Sequence, residues 1–149
     1  MIGIIVCGHG TFASGLTQAV RLIAGMPEKY IAVDYLQEDS ADDLEYKLKE
    51  ALKELKGCEE GILMFTDVVD KVPCRVCRQL AEKYTGEYRI EIISGTNLGM
   101  LVEANMARGF MRDLNTLASL AVETGKAQVM WASSADTNEA PPYVPEEID

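Results

Sequence analysis

Short apolar runs alternate with segments of helical period almost without interruption along this chain, and that alternation is the pattern of an α/β domain built on a mostly parallel sheet. Residues 1–7 read as a first strand, and Phe12–Ala24 as a helix whose Leu16, Ala19, Val20 and Ile23 share one face before Gly25 and Pro27 stop it. Residues 30–36 alternate as a second strand. Ser40 then caps a helix over 41–56, with Leu44, Leu48, Leu52 and Leu55 as its apolar stripe and Glu45 and Lys49 paired on the exposed side. The pattern further predicts a strand over 61–66, a helix opened by Pro73 and running to Tyr84, a strand over 88–93, and helices over 97–110 and 113–123. Residues 127–131 read as a short β-like segment. With 149 residues, 48% of them hydrophobic, the chain can bury a full core without disulfides or a structural metal. It therefore reads as a single domain over 1–132, a three-layer sandwich with helices on both faces of four parallel strands. The tail 133–149, with three prolines and five acids, has the composition of a poorly ordered segment.

Charge narrows the function classes. Fourteen basic residues against 24 acidic ones give a net charge of -10, and no Lys/Arg-rich run offers a footprint for a phosphate backbone, so neither nucleic acid nor anionic lipid is an expected partner. The opening apolar run lacks a basic leader and is too short for a signal peptide or a membrane span, which makes a cytosolic location the expectation. Cys7, Cys58, Cys74 and Cys77 are even in number. Two of them sit in strand-like, buried contexts and nothing marks the chain for secretion, so reduced thiols are expected.

In a doubly wound sheet, ligands gather just beyond the carboxyl ends of the strands. His9, the only histidine, stands between Gly8 and Gly10 at the end of the first strand, and Asp67 stands at the end of the third. If those strands are neighbours, an imidazole and a carboxylate meet on one rim. Familiar motifs fail here on essential atoms. Gly10 and Gly15 have phosphate-loop spacing, but Leu16 follows where that loop needs lysine, and Ala13 stands where the dinucleotide fingerprint needs its third glycine. A histidine phosphatase would need an adjacent arginine and a second histidine. Ser14 as a nucleophile lacks the Gly-x-Ser-x-Gly elbow. What fits is a histidine that is itself the nucleophile, carrying a phosphoryl group on one ring nitrogen while a carboxylate holds the other. Asp67 can supply that carboxylate, or it can merely cap the loop that follows. Gly8 and Gly10 let the backbone approach the phosphoryl oxygens, and the amides opening the helix at Thr11 and Phe12 offer an anion site.

The segment Ile-Ile-Val-Cys-Gly-His-Gly-Thr-Phe-Ala-Ser-Gly-Leu over 4–16, the Ala24-Gly25 close, Asp67 with Pro73 six residues on, and Ser94-Gly95-Thr96-Asn97-Leu98 followed by Met100-Leu101 carry a resemblance. The chain resembles, collinearly over 1–131, the mannose-family enzyme IIA of the bacterial sugar phosphotransferase system. The resemblance implies that His9 accepts a phosphoryl group from the phosphocarrier HPr and passes it to a histidine of enzyme IIB, that Asp67 orients the ring, and that no cofactor or metal takes part. It also implies a homodimer in which a fifth, antiparallel strand is exchanged between subunits, with 127–131 as the available segment, and contact with the membrane only through a permease complex. A related relay serving a soluble kinase of the dihydroxyacetone type, or a non-catalytic module that reports phosphorylation state, is the alternative. The chain departs from the family in the third-strand loop. Where the family usually reads Asp-x-x-Gly-Gly-Ser-Pro, this chain has Asp67-Val68-Val69-Asp70-Lys71-Val72-Pro73. The serine hydroxyl is replaced by Val72, and the double glycine becomes a candidate ion pair of Asp70 with Lys71. Gly99 stands where the family often has proline.

An apolar rim around His9 is the expected partner surface, with Phe12, Val68, Val69 and Met100 as its candidates, because two acidic faces would repel. Cys74-Arg75-Val76-Cys77 has the spacing of redox and zinc motifs, but no second pair accompanies it, so it reads as scaffold. Met100, Met106 and Met111, with Leu101 and Phe110, read as packing. Glu38, Asp39, Asp42 and Asp43 read as acids complementing a helix N-terminus.

Overall fold

The computed structural model describes residues 1–134, so the tail expected over 133–149 lies almost wholly outside the described residues. Four strands form one sheet: β1 (Gly3–His9), β2 (Tyr30–Tyr35), β3 (Ile62–Thr66) and β4 (Ile90–Ile93). They lie in the order β2-β1-β3-β4 and every pairing is parallel. The expected α/β sandwich with helices on both faces is therefore what the chain forms. β1 and β3 are the inner strands. That is why Ile2, Ile4, Ile5, Val6 and Cys7 have no exposed surface and why the sequence shows a continuous apolar run there instead of an alternating one. The edge strand β2 does not alternate as expected: it is half-buried throughout except at the buried Val33, with Tyr30 and Ala32 packed on one face and Ile31, Val33 and Tyr35 on the other.

Helices α1 (Phe12–Ala24), α4 (Leu98–Ala107) and α5 (Leu114–Ala127) cover one face. There Val20, Leu101, Leu117 and Ala121 close over Ile4, Val6, Leu63 and Phe65. Helices α2 (Ala41–Glu54) and α3 (Val72–Lys83) cover the other, where Leu44, Leu48, Leu52, Val76 and Leu80 pack on Ile5, Ile62 and Met64. α2 begins as its sequence requires: Ser40 accepts from the amide of Asp43, and the Asp43 carboxylate accepts from the amide of Ser40. Glu45 and Lys49 pair at 3.4 Å as expected.

Several boundaries move for tertiary reasons. β1 runs on through His9 because β2 continues beside it, pairing His9 with Tyr35. β4 begins later than expected, since the amides of Glu87 and Tyr88 turn back onto the carbonyl of Tyr84. Residues 127–131 are not a strand of this chain's own sheet. α5 continues to Ala127 and is closed by Gln128, whose amide donates to Thr124 and Gly125. The glycine that would weaken a helix there is needed for contact: a Cβ at Gly125 would collide with Met100, and the Gly125 carbonyl accepts from Asn97 Nδ2 at 2.9 Å. Gly99 has a similar reason, since any Cβ there would run into the Gln128 side chain.

Arg108, just beyond α4, is 2% exposed and went unremarked in the sequence. Its guanidinium donates to the carbonyls of Ile2 (2.8 Å), Lys29 (3.0 Å) and Glu28 and to Asn105 Oδ1 (2.8 and 3.1 Å). One buried cation thus closes the amino-terminal end of the sheet, tying the start of β1 and the approach to β2 to the end of α4. Replacing it strands those carbonyls in an apolar setting. Arg108→Met is expected to cost roughly 2–5 kcal/mol in urea unfolding with the m-value unchanged; a loss under about 0.5 kcal/mol would show that the carbonyls find water instead.

Candidate functional site

The carboxyl ends of β1 and β3 are adjacent, and they bring His9 and Asp67 together as the sequence suggests. The Asp67 carboxylate is fully engaged. Its Oδ2 accepts from the backbone amide of His9 at 2.8 Å and lies 2.7 Å from His9 Nδ1, while Oδ1 accepts from the Val68 amide at 2.8 Å. Burial works to raise the Asp67 carboxyl, but the His9 amide, the His9 ring and the Val68 amide together hold it below the ordinary carboxylate value. Asp67 is then ionised at neutral pH and can only accept, so Nδ1 carries the ring proton and the lone pair of Nε2 faces outward. The His9 side chain is 48% exposed, and the Tyr35 ring meets it edge-on at 5.8 Å.

The flanking glycines have different reasons. Gly8 is buried, and a Cβ there would lie 2.5 Å from the Phe12 ring and 3.1 Å from Asp67 Cγ. Only hydrogen leaves room for both. Gly10 has open space around it but a φ of +58°, the left-handed region that glycine enters at least cost. Its amide donates to the Tyr35 carbonyl at 2.7 Å, which turns the chain from β1 into α1.

Thr11 is the exposed N-cap of α1 without a side-chain cap bond. That role is filled from β2, by a residue the sequence reading missed: Asp34 accepts from the Ser14 amide at 3.0 Å and from the Ser14 hydroxyl at 2.7 Å. The amides of Thr11, Phe12 and Ala13 are left without a protein acceptor among the described residues. Ala13 is buried, while Thr11 and Phe12 lie immediately after His9 at the positive end of the helix dipole, the setting in which an anion is held. Asp34 could not have been found from local pattern, since it reaches Ser14 across 20 residues.

Of the four apolar rim candidates, Val68 and Val69 are 49% and 59% exposed and Phe12 is half-buried over Gly8. Met100 is not on the rim: it is 4% exposed and packed against Gly125 in the core. Asp70 does not pair with Lys71 either. It bonds Arg78 at 2.9 Å, nearly two turns into α3, and holds a φ of +61°. Val72 is half-buried against the α2/α3 core. All four cysteines are free and buried, and no group of three or more His, Cys, Asp or Glu side chains suited to a metal occurs among the described residues. No helix among them is long and apolar enough to cross a membrane.

Comparison with known proteins places this geometry. Residues 3–122 match the EIIA-man family model, described as the PTS system fructose IIA component. The mannose-specific EIIAB component of the phosphotransferase system of Escherichia coli K12 is 28% identical over 141 residues, covering 95% of this chain and 42% of that protein. The chain thus spans less than half the length of that relative. The fructose-specific EIIA component of Bacillus subtilis is 27% identical over 103 residues, 69% of this chain and 68% of that one. Among solved structures, the phosphotransferase component EIIA of Streptococcus agalactiae superposes with a TM-score of 0.82 at 28% identity, covering 89% of this chain and 98% of that one. The mannose/sorbose-specific IIA subunit of Enterococcus faecalis, with a TM-score of 0.78 at 23% identity over 87% of this chain and 93% of its own, shares the fold.

Because Asp67 is held low, its share of stability is complete above the ordinary carboxylate value and is lost as pH falls through the lowered one. Asp67→Asn is therefore expected to lose about 1–2 kcal/mol at neutral pH, and the gap to wild type should close progressively below about pH 4. Urea unfolding across pH 2–7 reads this directly; a gap that does not change with pH would mean the carboxylate charge plays no part.

Proposed function

The chain belongs to the EIIA-man family of phosphotransferase-system IIA components, and from that premise we propose that it is a phosphoryl carrier whose acceptor atom is Nε2 of His9. The observation that carries the proposal is the 2.7 Å contact between His9 Nδ1 and Asp67 Oδ2, which fixes the tautomer and leaves the other ring nitrogen free at the surface. In this reading the donor is a phosphohistidine of HPr and the acceptor a histidine of enzyme IIB, in a cytosolic relay that feeds sugar uptake. Nε2 attacks phosphorus as the nitrogen–phosphorus bond of the donor breaks in line, through a loose transition state whose charge lies on the three equatorial oxygens. The protein positions and neutralises. Asp67 balances the positive charge that develops on the ring, and the free amides of Thr11 and Phe12 receive the phosphoryl oxygens, which matters in a chain of net charge -10. Phe12, Val68 and Val69 give the approaching partner an apolar footing that charge repulsion does not oppose.

Incubation with phosphoenolpyruvate, enzyme I and HPr tests this. Wild type is expected to gain one acid-labile phosphoryl group by intact mass, and His9→Ala none. Asp67→Asn should keep its fold and take up phosphate roughly 10²- to 10⁴-fold more slowly, the range lost when an orienting carboxylate becomes an amide. Phosphorylation of His9→Ala, or no phosphorylation of folded wild type, overturns the assignment.

We also propose a homodimer. Among the described residues neither edge of the sheet pairs with a further strand, and Val129 and Trp131 stand 80% and 77% exposed just beyond α5. A strand from a second copy's carboxyl-terminal segment, added antiparallel along one sheet edge, would cover both kinds of surface. Equilibrium sedimentation at micromolar concentration should give twice the chain mass, and a monomer would refute the exchange.

A further inference from the structure

Three thiols converge beneath the loop that carries Asp67, and phosphoryl transfer uses none of them. Cys7 lies in β1, two residues before His9. Cys74 and Cys77 lie one turn apart at the start of α3 and share its buried face. Cys77 is hydrogen-bonded to Cys7, and that contact together with burial pushes the Cys77 thiol well up, so it stays protonated.

Cys74 has different surroundings. Ser94 Oγ donates to its sulfur at 3.1 Å and is itself 2.8 Å from Thr66 Oγ1. The Asp70 amide also points at the sulfur, and Arg78 adds positive charge from the next turn. Burial works against the thiolate, yet these groups outweigh it and hold the Cys74 thiol below its ordinary value. A helix start, hydroxyl and amide donors and a nearby guanidinium are the features that activate a cysteine. Cys74 is reachable as well. With Ser94, Arg78, Val69 and Ile92 it lines an open groove of about 480 Å³ between α3 and the edge strand β4. At 2% exposed, its sulfur admits an oxidant the size of water and excludes a bulky disulfide.

We propose that Cys74 is a hydroperoxide-sensitive thiol that Cys77 resolves as an intramolecular disulfide. The Cys74 thiolate attacks one oxygen of hydrogen peroxide, the O–O bond breaks, and the departing hydroxide takes up a proton to leave as water. Cys74 becomes a sulfenic acid, oxidised by two electrons. The Cys77 sulfur then bonds to the Cys74 sulfur and displaces hydroxide, which leaves with the Cys77 proton as a second water. Peroxide is the sole oxidant, and both its oxygens end in water. Residues three apart on a helix have Cα atoms about 5 Å apart, inside the roughly 4.4–6.8 Å that a disulfide spans. Cys7 touches Cys77 but does not line the groove, so oxidant meets Cys74 first.

The test needs no phosphotransfer partner, so it stands or falls independently of the carrier function. The reduced full chain is treated with a small molar excess of hydrogen peroxide at neutral pH, alkylated, and digested with trypsin, which cleaves after Arg75 and leaves a Cys74–Cys77 link as two joined peptides. The intact mass should fall by two hydrogens and dithiothreitol should restore it. In Cys77→Ala, dimedone should label Cys74 and no disulfide should form. Ser94→Ala should slow oxidation about three- to tenfold, the thiolate lost with one hydrogen-bond donor. Arg78→Gln, on the exposed face, gives the same reading if Ser94→Ala disturbs the fold. A Cys7–Cys77 link, oxidation of Cys74 no faster than of the buried Cys58, or a folded chain that resists peroxide while the guanidinium-unfolded chain reacts would each overturn the proposal.

Discussion

Oxygen Oδ2 of Asp67 is the point where two strands and one ring are joined, since it receives both the backbone amide and the Nδ1 of His9. That double contact is possible only because β1 and β3 are parallel neighbours whose ends fall on the same rim. Their adjacency in turn rests on burial: runs as apolar as 2–7 and 62–65 are stable only as inner strands with helices on both faces. The hydrophobic layering of the whole domain therefore sets the tautomer of one imidazole. Gly8 completes the arrangement by absence, because a single added carbon would force either Phe12 or Asp67 aside.

Charge makes the same rim demanding. In a chain of net charge -10, the start of α1 is a natural site for an anion, and part of it is already taken, since Asp34 occupies the Ser14 amide and hydroxyl. This anchors the helix start to β2 and fixes the direction of the remaining amides. A carboxylate near a proposed phosphoryl site would be costly if it faced the phosphate. Bound to Ser14, its charge is directed into the helix dipole instead, and the amides of Thr11 and Phe12 are left beside His9.

Much of this was legible because it was local or periodic. The four strands, the Ser40 cap and the placement of His9 and Asp67 at strand ends all follow from patterns a few residues wide. What escaped depends on partners far apart in sequence. Arg108 reads as one more surface cation until its carbonyl partners, 79 and 106 residues away, are in view. Met100 reads both as a rim residue beside a conspicuous loop and as packing, and a glycine in α5 opens the place in the core that decides for packing. The helix read over 113–123 in fact runs on to Ala127, because packing of Gly125 against Met100 of α4 carries it through a residue of poor helix propensity. Asp70 was assigned its sequence neighbour Lys71, but helix geometry brings Arg78 to it.

The third-strand loop departs from the family pattern, and its conformation is held by other means. Asp70 stands where the family usually has glycine and still adopts the left-handed conformation, at +61°. Aspartate is among the few residues that tolerate it, at a cost of about 1–2 kcal/mol. Its exposed pair with Arg78 returns less than about 1 kcal/mol of that, so the conformation is imposed by its surroundings: Pro73 starting α3 on one side and the carboxylate of Asp67, held by His9 and Val68, on the other. Val72 turns toward the core where the family has serine. With no hydroxyl at position 72, the side chains this loop presents at the surface are the apolar ones of Val68 and Val69.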